Sequence, residues 1–287
     1  MSSSTPSGEI TERWDAFLAK IKERFEQTMS EAEAGCAALL DDAELDPMPM
    51  SNAWNAIRLQ MLSLQRKIGD TWSEKIQEQL YDPNGDAKFE GAKVDREYAK
   101  GFALEQRIAD ELQATEVRIF GSAARKIYEV AKTKLEGHFA CKQCGTPLQI
   151  PKGIFRSIYV VCASCAMTNT FEPGTFARSA EYFCAHYLAN ETAWPELKAM
   201  SAAEFRVNRA IDGDSDSAGE PRTLAMLKMW EAATKKYWEV YLKARIEIIP
   251  EYAADYDKDF NGKMQGFYND VARYDEWKSP TNTSVNT

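Results

Sequence analysis

The sequence predicts a mainly α fold: an elongated antiparallel helical bundle with one small β module inserted at the tip of a helical hairpin. Three observations carry that expectation. Apolar residues recur every three or four positions over most of the chain, the stretches that keep this phase run to about thirty residues or more, and one cysteine-rich, β-prone segment interrupts them. Short connections between long amphipathic helices favour antiparallel neighbours, including coiled-coil-like pairs.

The first helix is marked by Ile10, Trp14, Phe17, Leu18, Ile21, Phe25, Met29, Ala32, Cys36, Leu39 and Leu40, which share one face. Cys36 lies on that stripe and reads as a small buried hydrophobe. "DDAELDPMPMS" then breaks the pattern with two prolines, and Ser51 is the expected N-cap of the next helix. That helix carries Trp54, Ile57, Met61, Leu64, Ile68, Trp72, Ile76 and Leu80, and Asp82-Pro83-Asn84-Gly85 turns the chain after it. A third helix is expected over 87–137, with Gly101 and Gly121 inside it, a kink near "FGSAAR" and Gly137 as C-cap. Beyond the cysteine segment a helix restarts with Thr175 as N-cap, and another follows Pro195. The acidic "DGDSDSAGEP" reads as a loop, residues 222–249 as a helix stopped by Pro250, and an aromatic-rich helical region closes at Trp277. The expected organisation is therefore tail 1–8, helices 9–137, cysteine module 138–174, helices 175–278 and tail 279–287.

Composition narrows the function classes. The chain has 287 residues, 44% hydrophobic and 28% charged, with a formal charge of −9 and a pI near 5.0, which fits a globular protein without a general polyanion-binding surface. "MSSSTPSGEITERW" has neither the basic nor the apolar region of a secretory signal, and no stretch has the length of a membrane span. A cytoplasmic location is expected, with no membrane partner and with cysteines that hold metal rather than form disulfides.

Cys141-x-x-Cys144 and Cys162-x-x-Cys165 lie seventeen residues apart, a spacing that reads as a four-cysteine zinc site. A tight knuckle aims the two sulfurs of a C-x-x-C pair at one point, and Gly145 supplies backbone freedom for the first turn. Between the knuckles, "TPLQI" and "SIYVVCA" are β-prone runs joined through Pro151-Lys152-Gly153, and "NTFEP" can add a third strand. This segment resembles a zinc ribbon of the broad rubredoxin-like kind, in its two knuckles, its C-x-x-C-G start and the hairpin between them. The resemblance covers about forty residues and implies a tetrahedral Zn²⁺ held by Cys141, Cys144, Cys162 and Cys165. It differs from the iron-binding rubredoxins at "CASCA", where they carry Pro and Gly around the pair, which points away from iron and electron transfer. Four thiolates leave no open coordination position, so the metal is expected to be structural.

Other signals weigh less. His138, and His186 beside Cys184 in "FCAHYL", are surplus to a complete ligand set, and the Cys-x-His pair diverges around a helix, so Cys184 and His186 read as packing residues. "DKDFNGKMQGFY" places Asp257, Asp259, Asn261 and Gly262 like the start of an EF-hand loop, but Tyr268 stands where the bidentate carboxylate belongs. An acidic interhelical loop capped by Gly262 is the expectation there. Between 118 and 178, nine basic residues face three acidic ones, a local charge of +6. Lys142, Lys152, Arg156 and Tyr159 could then grip a phosphate backbone and stack a base. The acidic remainder opposes a long polyanion, and solvated helix faces explain the same charges.

No G-x-S-x-G, Walker loop, H-E-x-x-H or G-x-G-x-x-G pattern occurs. The expectation is a non-enzymatic zinc-binding interaction or scaffold protein that contacts a protein partner through its helices and ribbon tip. Nucleic-acid binding by the basic ribbon is the alternative, followed by an unrecognised enzyme or redox protein.

Overall fold

The structure is a computed structural model that describes residues 6–80, 91–135, 139–151, 156–211 and 220–278. The described residues are mainly helical with one small antiparallel sheet, and the chain divides into two compact units, Met1–Ala123 and Ala124–Thr287. The expected turn at Asp82–Gly85, the Gly137 cap, His138, Lys152, the acidic segment 212–219 and the tail 279–287 lie outside the described residues.

In the first unit, α1 spans Pro6–Asp42 and α2 spans Pro47–Thr71. A π-helical turn, Trp72–Ile76, leads into the short α3, Gln77–Leu80, and α4, Gly91–Leu135, begins in this unit and ends in the second. Most of the stripe predicted for α1 is buried: Trp14, Leu18, Ile21, Phe25, Met29, Ala32, Cys36 and Leu40 are, whereas Ile10 and Phe17 are half-buried and Leu39, at the edge of the face, is exposed. The buried residues face Met50, Trp54, Met61, Leu64 and Ile68 of α2, and Val94, Ile108, Leu112 and Ile119 of α4 are buried too. Ion pairs between α1 and α4 give their direction. Asp15 meets Lys100 at 2.8 Å, Glu26 meets Arg107 at 2.6 Å and Glu33 meets Arg118 at 2.7 Å, so both helices run the same way. Gln65 donates to the Glu105 carbonyl and Trp54 to the Glu116 carboxylate, an order that makes α2 antiparallel to α4.

Two details explain themselves locally. Trp14 Nε1 donates to the Glu97 carbonyl at 3.0 Å, and a Cβ on Gly101 would lie 2.7 Å from Trp14 Cζ2. The glycine thus lets the indole lie against the α4 backbone, a close approach that offsets its poor helix propensity. The prolines of "DPMPMS" start α2 rather than break the chain. Asp46, not Ser51, is the N-cap, accepting from the Met48 amide at 3.0 Å, and a proline loses nothing in a first turn whose N–H groups have no helical partner.

In the second unit, β1 (Ile158–Val161) pairs antiparallel with β2 (Thr168–Phe171), Ile158 opposite Phe171 and Val161 opposite Thr168. The helices that follow are α5, Gly174–Thr192, α6, Trp194–Arg209, α7, Leu224–Ile248, and α8, Tyr256–Val271, with a 3₁₀ turn over Pro250–Asp255. Helix α5 begins at Gly174 behind Pro173, one residue ahead of the expected Thr175 cap. Thr223 caps α7 through the Met226 amide. Val207, Leu227, Trp230, Met264, Phe267 and Val271 form one core cluster, and Ala189, Ala193, Tyr237, Tyr241 and Leu242 form another.

The EF-hand-like run is corrected by the fold. Residues 257–268 lie inside α8 and Gly262 is mid-helix, so no calcium loop and no cap exists there. Met264, Phe267 and Val271 bury one face of this helix, and that periodicity outweighs the loop-like composition. No described helix is long and apolar enough to cross a membrane.

Candidate metal centre

Both knuckles are built by the same hydrogen bonds. In the first, the Cys141 amide donates to the Thr146 carbonyl at 2.8 Å and the Gly145 amide to the Cys141 carbonyl at 2.9 Å. In the second, the Cys162 amide donates to Met167 at 2.9 Å and the Ala166 amide to Cys162 at 2.9 Å. The residue after each C-x-x-C pair must take a left-handed backbone. Gly145 does so at φ 74° and Ala166 at φ 59°, the latter against the steric preference of its Cβ.

Strands place the knuckles face to face. The sheet folds over the second knuckle, between β1 and β2, whereas "TPLQI" contributes a single bridge, Ala140 to Pro147, beside the first. The hairpin therefore joins "IYVV" to "TNTF", the run expected as a third strand, because a tight knuckle connects them more closely than the longer turn through Pro151. Phe139 meets Phe171 edge to face at 4.6 Å and closes the small apolar interior.

The four sulfurs converge. Cys141 Sγ is 3.6 Å from Cys165 Sγ, Cys144 Sγ is 3.6 Å from Cys162 Sγ, and all four lie within 4.8 Å of one another. Tetrahedral metal–sulfur bonds of about 2.3 Å put ligand sulfurs roughly 3.8 Å apart, so the cluster fits one ion. Every described cysteine is free, and sulfurs at these separations are not disulfide-bonded. Cys141 and Cys162 are buried, Cys165 is half-buried and Cys144 is exposed. The residues present can therefore hold a metal ion in a closed four-sulfur shell.

Asn169, which the sequence did not single out, ties the two knuckles together. Its buried side chain accepts from the Lys142 amide at 3.0 Å and donates to the Met167 carbonyl at 3.0 Å and to Cys141 Sγ at 3.5 Å. Amide donors also set the sulfur electrostatics. The N–H groups of Cys144 and Gln143, then the Asn169 and Cys165 side chains, draw the Cys141 thiol down to about 6. Thr146, through its hydroxyl and amide, lowers Cys144. Cys165 is helped by the Met167 amide, but the neighbouring sulfurs and burial push it up to about 12. Four clustered sulfurs resist carrying four negative charges, which a divalent cation would relieve.

The remaining candidates are scattered. Cys36 lies on the α1 stripe, its thiol pushed up by burial. Cys184 donates to the Ala124 carbonyl and burial pushes it up to about 12. His186 belongs to a polar cluster: Nδ1 is 2.7 Å from the Tyr241 hydroxyl and Nε2 3.2 Å from Asn190 Nδ2. Tyr237 donates to Asn190 Oδ1, which orients the amide so that His186 Nε2 accepts and Nδ1 carries the proton. Lys142 and Tyr159 are exposed on the metal module, and Arg156 donates to Glu181 Oε1 at 2.7 Å.

Comparison with family models, with curated proteins and with solved structures finds no match to this chain.

Proposed function

We propose that the chain is a non-enzymatic zinc protein whose ribbon presents an uncharged contact surface to a protein partner. The observation that carries the reading is the hairpin itself. From Ser157 to Phe171 no residue is charged, in a chain that is 28% charged. Tyr159 is 80% exposed, Val161 63% and Met167 44%, and Tyr159 and Val161 project from the same face of β1. Exposed apolar residues on β1 and on the knuckle that follows it favour association over solvation. Zinc is the ion that four thiolates in a closed tetrahedral shell suit best, and such a shell supplies structure rather than chemistry.

Placement of the ribbon at the tip of a helical hairpin is supported by the helices on either side of it. Cys184 of α5 donates to Ala124 of α4, and Arg125 of α4 pairs with Glu191 of α5.

The nucleic-acid alternative loses support to charge pairing. Arg118 meets Glu33 and Glu111, Arg125 meets Glu191, Lys132 meets Glu129, Arg156 meets Glu181 and Arg178 meets Glu172. These pairs neutralise much of the local basic excess. Lys142 is left exposed on the described ribbon, and one lysine is a weak grip on a phosphate backbone.

The test is capture from native lysate by full-length chain, with Val161→Lys and Met167→Lys variants that keep their metal. A protein partner retained after nuclease treatment and lost in both variants is expected. Oligonucleotide binding that weakens steeply with salt, or retention unaffected by either substitution, would overturn the reading.

A further inference from the structure

Resting on the zinc reading above, we infer that Arg156 and Glu181 form a latch through which metal binding in the ribbon stabilises the helices beneath it. The latch adds regulation to the contact surface, because the same metal that shapes the hairpin then also governs how firmly it is held.

Glu181 sits on α5 and is 3% exposed. A carboxylate buried that deeply needs donors. Its Oε1 accepts from Arg156 Nε at 2.7 Å and Nη2 at 2.5 Å, and the Tyr252 hydroxyl stands 3.4 Å away. The principal donor thus comes from the ribbon, two residues ahead of β1, and β1 leads directly into Cys162. Tyr252 carries the connection onward. Its ring lies 5.7 Å from the Arg156 guanidinium and 4.3 Å from that of Arg245 on α7, and Arg245 approaches Asp259 of α8 at 4.0 Å. Ribbon, α5 and the 3₁₀ turn thereby meet at one buried carboxylate, and Tyr252 and Arg245 link that point to α7 and α8.

The coupling follows from where each partner goes when the metal leaves. A module of this size is unable to bury its own core, so without metal the hairpin loosens and Arg156 passes into water. Glu181 stays with α5, buried and short of its main donor, which destabilises the metal-free helices. Metal binding restores the donor, so part of the binding free energy is released in the helical body. A second tie, Arg178 to Glu172 at 3.2 Å, joins α5 to the end of the sheet, but both side chains are exposed and water replaces either one at little cost.

Zinc affinity measured on the full chain by competition with a chromophoric chelator, alongside hydrogen exchange with and without metal, separates the outcomes. Glu181→Gln and Arg156→Met should each weaken zinc binding about tenfold, the double variant should be no weaker than either single one, and Arg178→Ala should match the unaltered chain. Metal removal should deprotect α5 and Pro250–Asp255 in the unaltered chain as well as the ribbon. Purified chain without stoichiometric zinc would sink the metal reading and the latch together. Stoichiometric zinc with unchanged affinity in Glu181→Gln, or deprotection confined to 139–171, would overturn the latch alone.

Discussion

Asn169 Nδ2 donates to Cys141 Sγ at 3.5 Å while its Oδ1 accepts the Lys142 amide, so one buried side chain on β2 holds the first knuckle against the second. A group that orients a ligand and stabilises its thiolate contributes to metal affinity without touching the metal. Asn169→Ala should therefore lower zinc affinity about tenfold to hundredfold. Competition with a chromophoric chelator measures it, and an unchanged affinity would remove Asn169 from the site.

Acid should release the metal, and the direction follows from the sulfurs. Cys141 is drawn down to about 6 by the amides of Cys144 and Gln143, while Cys165 is pushed up to about 12. Metal holds all four as thiolates to lower pH than the free site does. Its stabilisation is thus greatest at high pH and is lost as pH falls through the range where protons compete. Affinity should decline as pH falls throughout the neutral range, where the free Cys165 thiol is already protonated, and more steeply below about pH 6, where Cys141 is protonated too. A pH-independent affinity over that range would contradict the thiolate assignment.

The left-handed backbone at Ala166 makes a prediction with the opposite sign from its counterpart. Ala166→Gly should strengthen the second knuckle by about 0.5–1 kcal/mol, because glycine meets no Cβ penalty there. Gly145→Ala should weaken the first, where φ is 74°. The denaturant concentration that releases zinc reads both, and equal responses would contradict the backbone argument.

Gly101 tests the packing of the first unit. Alanine there would force its methyl to within 2.7 Å of Trp14 Cζ2, so Gly101→Ala should destabilise by about 1–3 kcal/mol despite its better helix propensity. Urea unfolding followed by tryptophan fluorescence checks this. A neutral or stabilising result would show that Trp14 moves aside freely.

Much of this was legible in the sequence because burial imposes its own periodicity. The stripe from Trp14 to Leu40 is buried apart from Phe17, half-buried, and Leu39, exposed at its edge, and the two C-x-x-C pairs converge as their separation requires. What escaped depends on context. Pro47 marks a helix start as readily as a break, and only Asp46 accepting from Met48 decides between them. The Asp257, Asp259 and Gly262 pattern looked like a loop, yet Met264, Phe267 and Val271 bury that segment as a helix. Asn169 acts across 27 residues on Lys142, and Glu181 across 25 on Arg156, pairings that no local spacing encodes. The acidic partners that Arg118 and Arg125 find in Glu33 and Glu191 are likewise distant in sequence, so the local charge count did not include them.

Elemental analysis of the full chain, purified under reducing conditions, tests the metal centre most directly. One zinc per chain, lost in a Cys162→Ser variant and on chelation with loosening of the ribbon, is the expected result. A metal-free chain whose ribbon keeps the same protection from hydrogen exchange after chelator treatment would contradict it.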